Sequence, residues 1–163
     1  MLTHETTRTS ERIGRPPRVL LVASGGGHWV QLLRLLPAFD GCETSFVCVR
    51  EDYRVDVPGH RFFAVNDATR WNKFGLVLLA LRVFAVVLRV RPDVLVSTGA
   101  APGYFALRLG KLLGAKTVWI DSIANVEHLS MTGTLVRKYA DRWLTQWPHL
   151  AGAGGPEYEG AVL

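Results

Sequence analysis

The sequence predicts a doubly wound α/β domain built on a parallel sheet of Rossmann type. Three observations predict it. Short aliphatic and β-branched runs alternate with segments of helical period. None of those runs has a polar face, as expected of strands covered on both sides. Glycine-bearing turns follow directly on two of them, at residues 24–28 and 98–103. In such sheets ligands bind beyond the carboxyl ends of the strands. A chain of 163 residues, 48% of them hydrophobic, suffices for one buried core, since a domain usually runs to about 100–200 residues.

The elements follow in order. Residues 18–23, Arg-Val-Leu-Leu-Val-Ala, are apolar and end in Ser24-Gly25-Gly26-Gly27-His28, which reads as a strand closed by a glycine turn. Trp29, Leu32, Leu33 and Leu36 then recur at helical spacing, predicting a helix over residues 29–39. Residues 44–49 and 61–65 read as the second and third strands. A polar turn over 66–72 leads into a long apolar helix, 73–90, stopped by Pro92, because proline disfavours helix in the residue before it. Residues 93–97 form a buried strand closed by Thr98-Gly99-Ala100-Ala101-Pro102-Gly103. A helix over 103–113, a strand over 116–120, a polar loop, a helix over about 134–140 and a strand over 142–146 complete the pattern. The domain is therefore placed at residues 18–150. Residues 1–17, nearly devoid of apolar side chains and ending in Pro-Pro, read as a disordered tail on a cytoplasmic protein rather than as a secretory signal. Residues 151–163 read as a carboxy-terminal tail.

Net charge is +5, and the excess is concentrated: between Arg70 and Lys116 eight basic residues face one acid, Asp93. Such a field suits phosphates or anionic lipid, or is simply a solvated basic face. No nucleic-acid recognition motif accompanies it, so nucleic acid is not an expected partner. Cys42 and Cys48 are too few for a zinc site or a disulfide framework, and Cys48 lies in an apolar strand, so no metal is expected.

Several residues on the ligand edge have the chemistry of a site. Exposed N–H groups at Gly25, Gly26 and Gly27, with the helix start behind them, favour an anion, typically phosphate; the same glycines also serve a merely tight turn. A dinucleotide fingerprint is only partly present. Val30 stands at its third glycine position, although Glu51 and Asp52 do follow the second strand. A small nicotinamide-binding oxidoreductase therefore stays open as an alternative. His28 suits a phosphate ligand or a general base, or bonds only to solvent and backbone. Asp121 suits a base or hydroxyl ligand, or caps a turn. The 73–90 helix is charged only at Arg82 between Phe74 and Leu88, and falls short of the about 20 residues that cross a bilayer. Its second apolar face needs either a membrane surface, reached with Trp71, Lys73, Phe74, Leu78, Arg82 and Arg89, or a protein interface.

Four segments together resemble a known family: residues 23–28 (Ala-Ser-Gly-Gly-Gly-His), 97–103 (Ser-Thr-Gly-Ala-Ala-Pro-Gly), 129–133 (Leu-Ser-Met-Thr-Gly), and 140–142 (Ala-Asp-Arg) with 146–148 (Gln-Trp-Pro). The chain resembles the acceptor-side, membrane-docking subunits of two-component UDP-sugar glycosyltransferases. These include the accessory subunit of the dolichol-pathway UDP-N-acetylglucosamine transferase and its bacterial capsule and exopolysaccharide counterparts. The resemblance implies the amino-terminal half of a GT-B glycosyltransferase, also similar to the peptidoglycan enzyme that glycosylates a lipid-linked muramoyl pentapeptide. It implies a lipid-diphosphate acceptor held by this chain, and a UDP-sugar donor held by a separate partner subunit, with no cofactor bound here. The transferred unit would be N-acetylglucosamine, glucuronic acid or a similar hexose-type sugar, and the chain alone would be inactive. Carried over by position, His28 and Asp121 take catalytic roles. Ser24, Gly25, Gly26, Gly27, Thr98, Gly99, Ala100, Asn125 and Glu127 take the acceptor and its phosphates. Asp121 stands where many relatives have glutamate, and Asn125 where the dolichol-pathway type has arginine. The eukaryotic amino-terminal anchor is not in this sequence, so membrane contact is expected at the apolar helix, on the cytoplasmic face of the inner membrane. A purely scaffolding role for a glycosyltransferase partner is the remaining alternative.

Overall fold

The computed structural model describes residues 14–162; most of the amino-terminal tail read from the sequence, residues 1–13, lies outside the described residues. Seven strands form one parallel sheet in the order β3-β2-β1-β4-β5-β6-β7. The strands are β1 (Arg18–Val22), β2 (Glu43–Cys48), β3 (Arg61–Ala64), β4 (Val94–Ser97), β5 (Lys116–Ile120), β6 (Arg142–Thr145) and β7 (Glu157–Tyr158). Register is continuous through the middle, with Leu20 beside Ser45 on one side and beside Leu95 on the other. Winding reverses between β1 and β4, the switch point at which doubly wound sheets open a crevice for ligands.

The two-residue period of β1 divides the core. Leu20 and Val22 join Leu79, Val83, Val87, Leu95, Leu107 and Trp119 on one face. Val19, Leu21 and Ala23 join Trp29, Leu32, Phe46 and Val96 on the other. The helices α2 (Lys73–Val90), α3 (Ala100–Leu112) and α4 (Met131–Val136) serve the first face, and α1 (Gly27–Arg34) serves the second.

α2 has the bounds expected from the sequence, and the structure closes both its ends. The Asn72 side chain accepts from the Gly75 N–H at 2.8 Å, and Arg91 closes the helix in a left-handed conformation, φ 48°, before Pro92. Three other helices differ from expectation at their ends. α1 starts at Gly27 and stops at Arg34. Pro37 cannot continue an α-helix, so residues Leu36–Phe39 form a 3-10 turn instead. α3 begins at Ala100 rather than 103, since Pro102 falls in its first turn, where no N–H partner is needed. α4 begins at Met131, where the Ser130 hydroxyl accepts from the Gly133 N–H at 2.8 Å, and passes into a 3-10 turn at Arg137–Tyr139.

The carboxy-terminal tail needs correction. Glu157–Tyr158 pairs with β6 as the last strand, and Val162 N–H donates to Gln146 Oε1 at 2.8 Å. Two residues of pairing are too short to leave a sequence signature. At the other end Arg15 binds Asp93 through two nitrogens, at 2.9 and 3.0 Å, so ordered chain extends upstream of residue 18.

Candidate functional site

The glycine turn after β1 uses its three glycines differently. Gly26 has φ 61° and ψ −132°, a backbone conformation that only glycine adopts without strain. Gly25 is needed for close approach: a Cβ there would stand 3.0 Å from Arg50 Cδ and 3.8 Å from Tyr53. Gly27 opens α1 with nothing within 4 Å of where its Cβ would be, so the turn is open on its outer side. The Ser24 carbonyl accepts the Cys48 thiol at 2.7 Å, and burial pushes that thiol's pKa up, which makes Cys48 a packing residue.

The amide inventory of the turn departs from the expected cradle. Gly26 N–H donates to the Tyr53 hydroxyl at 3.2 Å, and the Trp29 and Val30 N–H groups both donate to the Gly26 carbonyl. The Gly27 and His28 N–H groups are the ones at the helix start with no partner among the described residues.

His28 crosses the switch point. Its Nδ1 lies 2.8 Å from the Thr98 carbonyl, and Thr98 Oγ1 donates to the His28 carbonyl at 2.7 Å, two bonds that clasp the ends of β1 and β4 together. A carbonyl can only accept, so Nδ1 carries the proton and, in the neutral imidazole, Nε2 carries the lone pair. Gly99 makes room for this ring: a Cβ there would lie 2.4 Å from His28 Cε1 and Nδ1. Gly99 itself has φ 148°, and the next residue, Ala100, has φ 66°, a left-handed conformation rare for a residue with a Cβ. Strain of this kind, on the order of 1–3 kcal/mol, persists only where surrounding structure imposes it. Ser97 supports the turn by accepting the Gly99 N–H at 3.2 Å.

Asp121 lies at the end of β5 and turns inward. Oδ1 accepts from Ser122 N–H and Asn125 Nδ2, both at 3.0 Å, and Oδ2 accepts from Ser130 N–H at 2.9 Å. The residue is 2% exposed. Its own carbonyl accepts from Gln146 Nε2 at 2.9 Å and from Gln31 Nε2 at 3.3 Å. Of the readings open for Asp121, the geometry shows the turn cap: in this structure its carboxylate holds the 121–130 loop closed. Asn125 follows it into that role, since its amide is engaged by Asp121. Glu127 sits exposed on the same loop. Trp147 Nε1 donates to the Ile123 carbonyl at 2.8 Å, and His149 Nε2 lies 2.6 Å from the Val126 carbonyl, so the carboxy-terminal turn braces the loop from outside.

The structure thus brings Ser24, Gly25, Gly26, Gly27, His28, Thr98, Gly99 and Ala100 together, and assigns Asp121 and Asn125 to a neighbouring scaffold. Glu51 and Asp52, the acids that left a dinucleotide reading open, bind Arg54 and Arg50 instead. Val30 is half exposed, so it does not crowd helix against sheet as a side chain at the third fingerprint position would. Sequence reasoning missed Tyr53, Arg50 and Gln31, and met Gln146 only as part of the 146–148 segment. An aromatic residue just after β2 was the signal available for Tyr53; nothing local marks Gln31.

Residues 58–162 match the family model described as "Oligosaccharide biosynthesis protein Alg14 like". The chain belongs to that family. Among the relatives of this Alg14-like chain is the UDP-N-acetylglucosamine transferase subunit ALG14 of Eremothecium gossypii, 28% identical, with the match covering 85% of this chain and 76% of that protein. The protein of the same name from Mus musculus is 29% identical over 82% of this chain and 76% of its own. Among solved structures, Acinetobacter baumannii MurG superposes with a TM-score of 0.71 at 13% identity, covering 86% of this chain and 44% of that one. The UDP-N-acetylglucosamine 2-epimerase of Rickettsia bellii superposes with a TM-score of 0.67 at 13% identity, covering 90% and 45%. The Alg14-like chain therefore has the Rossmann-type fold found in GT-B glycosyltransferases, and spans less than half the length of these solved structures.

Proposed function

We propose that this chain is the acceptor-binding and membrane-docking subunit of an inverting UDP-sugar-dependent glycosyltransferase, with the donor site on a partner chain. The His28–Thr98 clasp carries the reading. It sets a histidine at the switch point, fixes Nδ1 as donor and leaves the Nε2 lone pair for a substrate. Nε2 takes the proton of the acceptor hydroxyl as that oxygen attacks the anomeric carbon. The new C–O bond forms as the bond to the UDP oxygen breaks, with inversion. Stabilisation of the departing diphosphate falls to the partner. The acceptor's own diphosphate faces the free N–H groups of Gly27 and His28. The acceptor is a lipid-linked polysaccharide precursor, and the sugar N-acetylglucosamine, glucuronic acid or a similar hexose. The relatives' description as transferase subunits supports a divided enzyme.

Docking falls to α2. Its inward line, Leu79, Val83, Val87 and Val90, fills the core, while Phe74 (83% exposed), Val77, Leu81 and the preceding Trp71 (81%) face outward. Lys73, Arg82 and Arg89 are exposed among them. No helix among the described residues is long and apolar enough to cross a membrane. An exposed apolar face rimmed by cations suits the headgroup region of an anionic leaflet, the cytoplasmic one in this reading.

Two measurements test the proposal. The purified chain has negligible transferase activity and gains it when mixed with its donor-binding partner; turnover by the single chain rejects the divided-enzyme reading. Vesicles of phosphatidylglycerol and phosphatidylethanolamine sediment the wild-type chain, and Phe74→Ser with Leu81→Ser releases it. Unchanged sedimentation of that double variant rejects docking through α2.

A further inference from the structure

The residue that sits on the glycine turn is neither a glycine nor the histidine. Tyr53 lies in the 3-10 segment Glu51–Asp56 after β2, and its hydroxyl oxygen accepts the Gly26 N–H at 3.2 Å. Everything around the ring fixes it there. Trp29 stacks on it with centroids 5.4 Å apart and planes 16° apart, and Trp29 is itself held through Nε1 by Asp56 at 2.8 Å. The Arg50 guanidinium lies over the ring, 5.3 Å from its centroid, gripped by Asp52 through Nε at 3.1 Å and Nη2 at 2.8 Å. Arg50 Nη1 is not used in that grip. A phenol that accepts one hydrogen bond still has its proton to give, and Tyr53 O–H donates to no group among the described residues. The phenol O–H therefore stands at the mouth of the turn beside the unpartnered N–H groups of Gly27 and His28.

Resting on the acceptor-site reading above, we infer that Tyr53 is a ligand-binding residue of this site, replacing the Gly26 amide as a donor to the acceptor's diphosphate, with Arg50 Nη1 supplying charge beside it. The anion cradle is then two backbone amides, a phenol and a guanidinium edge rather than three glycine amides. Tyr53 does not depend on its oxygen for packing, so Tyr53→Phe keeps the stack on Trp29 while it removes the phenol donor and releases the Gly26 N–H.

The test uses inorganic pyrophosphate as probe, with the amide resonances of Gly27 and His28 as reporters in the full chain. Pyrophosphate shifts both in the wild type. In Tyr53→Phe the dissociation constant rises about tenfold, the size expected for one hydrogen bond to a charged group, while the melting temperature stays within a few degrees. Equal affinity in the two proteins, or no shift of either amide in the wild type, overturns the inference. In the reconstituted pair, Tyr53→Phe raises the KM for the lipid-linked acceptor with kcat unchanged. An unchanged KM in a pair that turns over overturns the role of Tyr53 and leaves the proposed function intact. Absence of transfer by the wild-type pair rejects that function, and the pyrophosphate titration still decides the binding role.

Discussion

The two turns that leave β1 and β5 lie on the same edge of the same sheet and have opposite characters. The 24–28 turn is open: Gly26 and Gly27 are exposed, and among the described residues two helix-start N–H groups and one ring nitrogen of His28 have no partner. The 121–130 loop is closed: its one buried carboxylate takes three donors, and two glutamines, a tryptophan and a histidine grip its backbone. Unsatisfied donors next to solvent are cheap to keep and ready for a ligand. A buried carboxylate with filled hydrogen bonds is a structural anchor, expensive to remove and unavailable to a substrate. Two polar residues at equivalent strand ends are thus divided by what surrounds them.

The comparison is broken most directly at His28. His28→Ala in the reconstituted enzyme lowers kcat by about 10²–10⁴-fold and costs about 1 kcal/mol of stability through the broken Nδ1–Thr98 bond. A wild-type rate would leave the scaffolding role as the better account. Asp121→Ala inverts the pattern. It strands the N–H groups of Ser122 and Ser130 and the Asn125 amide, and costs about 3 kcal/mol in a denaturant titration. If activity instead vanishes with stability untouched, Asp121 is catalytic after all. Gly99→Ala sharpens the contrast, because its Cβ would overlap the His28 ring and its φ of 148° is strained for alanine. A loss of about 1–3 kcal/mol accompanies a fall in rate larger than the stability loss explains. Equal rates would mean that the ring position is not critical.

The smallest effect lies away from both turns and serves as a control. The Lys111 ammonium, together with the Thr117 N–H, holds the Asp141 carboxyl below the usual carboxylate range. A depressed pKa contributes stability above the unfolded value of about 3.9 and loses it as pH falls through the folded value. Asp141→Asn therefore flattens the acid limb of stability below about pH 4 and leaves neutral-pH activity alone. An unaltered acid limb would show that the pair contributes nothing.

Most of the fold was legible in the sequence because its signals are local. The apolar runs of β1 through β6, the proline stop of α2 and the glycine turns are all written within a few residues of where they act. Helix ends were less so, since Pro37 bars α1 from continuing and opens a 3-10 turn, whereas Pro102 is accommodated in the first turn of α3. β7 was missed because two residues carry no period. In the site, the glycines and His28 could be read as chemistry. For Asp121 the sequence offered both a base and a turn cap and could not choose between them, because Ser130 and Gln146 reach it from further along the chain. Tyr53 was marked only as an aromatic residue after β2, and its contact with Gly26 spans 27 positions.

By itself the sequence determined a parallel, doubly wound sheet, the edge on which a ligand would bind, and an apolar helix with one face too many for its own core. Tertiary structure decided which N–H groups stay unpaired, which nitrogen of His28 holds the proton, and which acid is locked away. Alternation and turn formation depend on neighbours along the chain. Hydrogen-bond satisfaction depends on groups that folding brings from far along it, as Thr98 is brought to His28 across 70 positions.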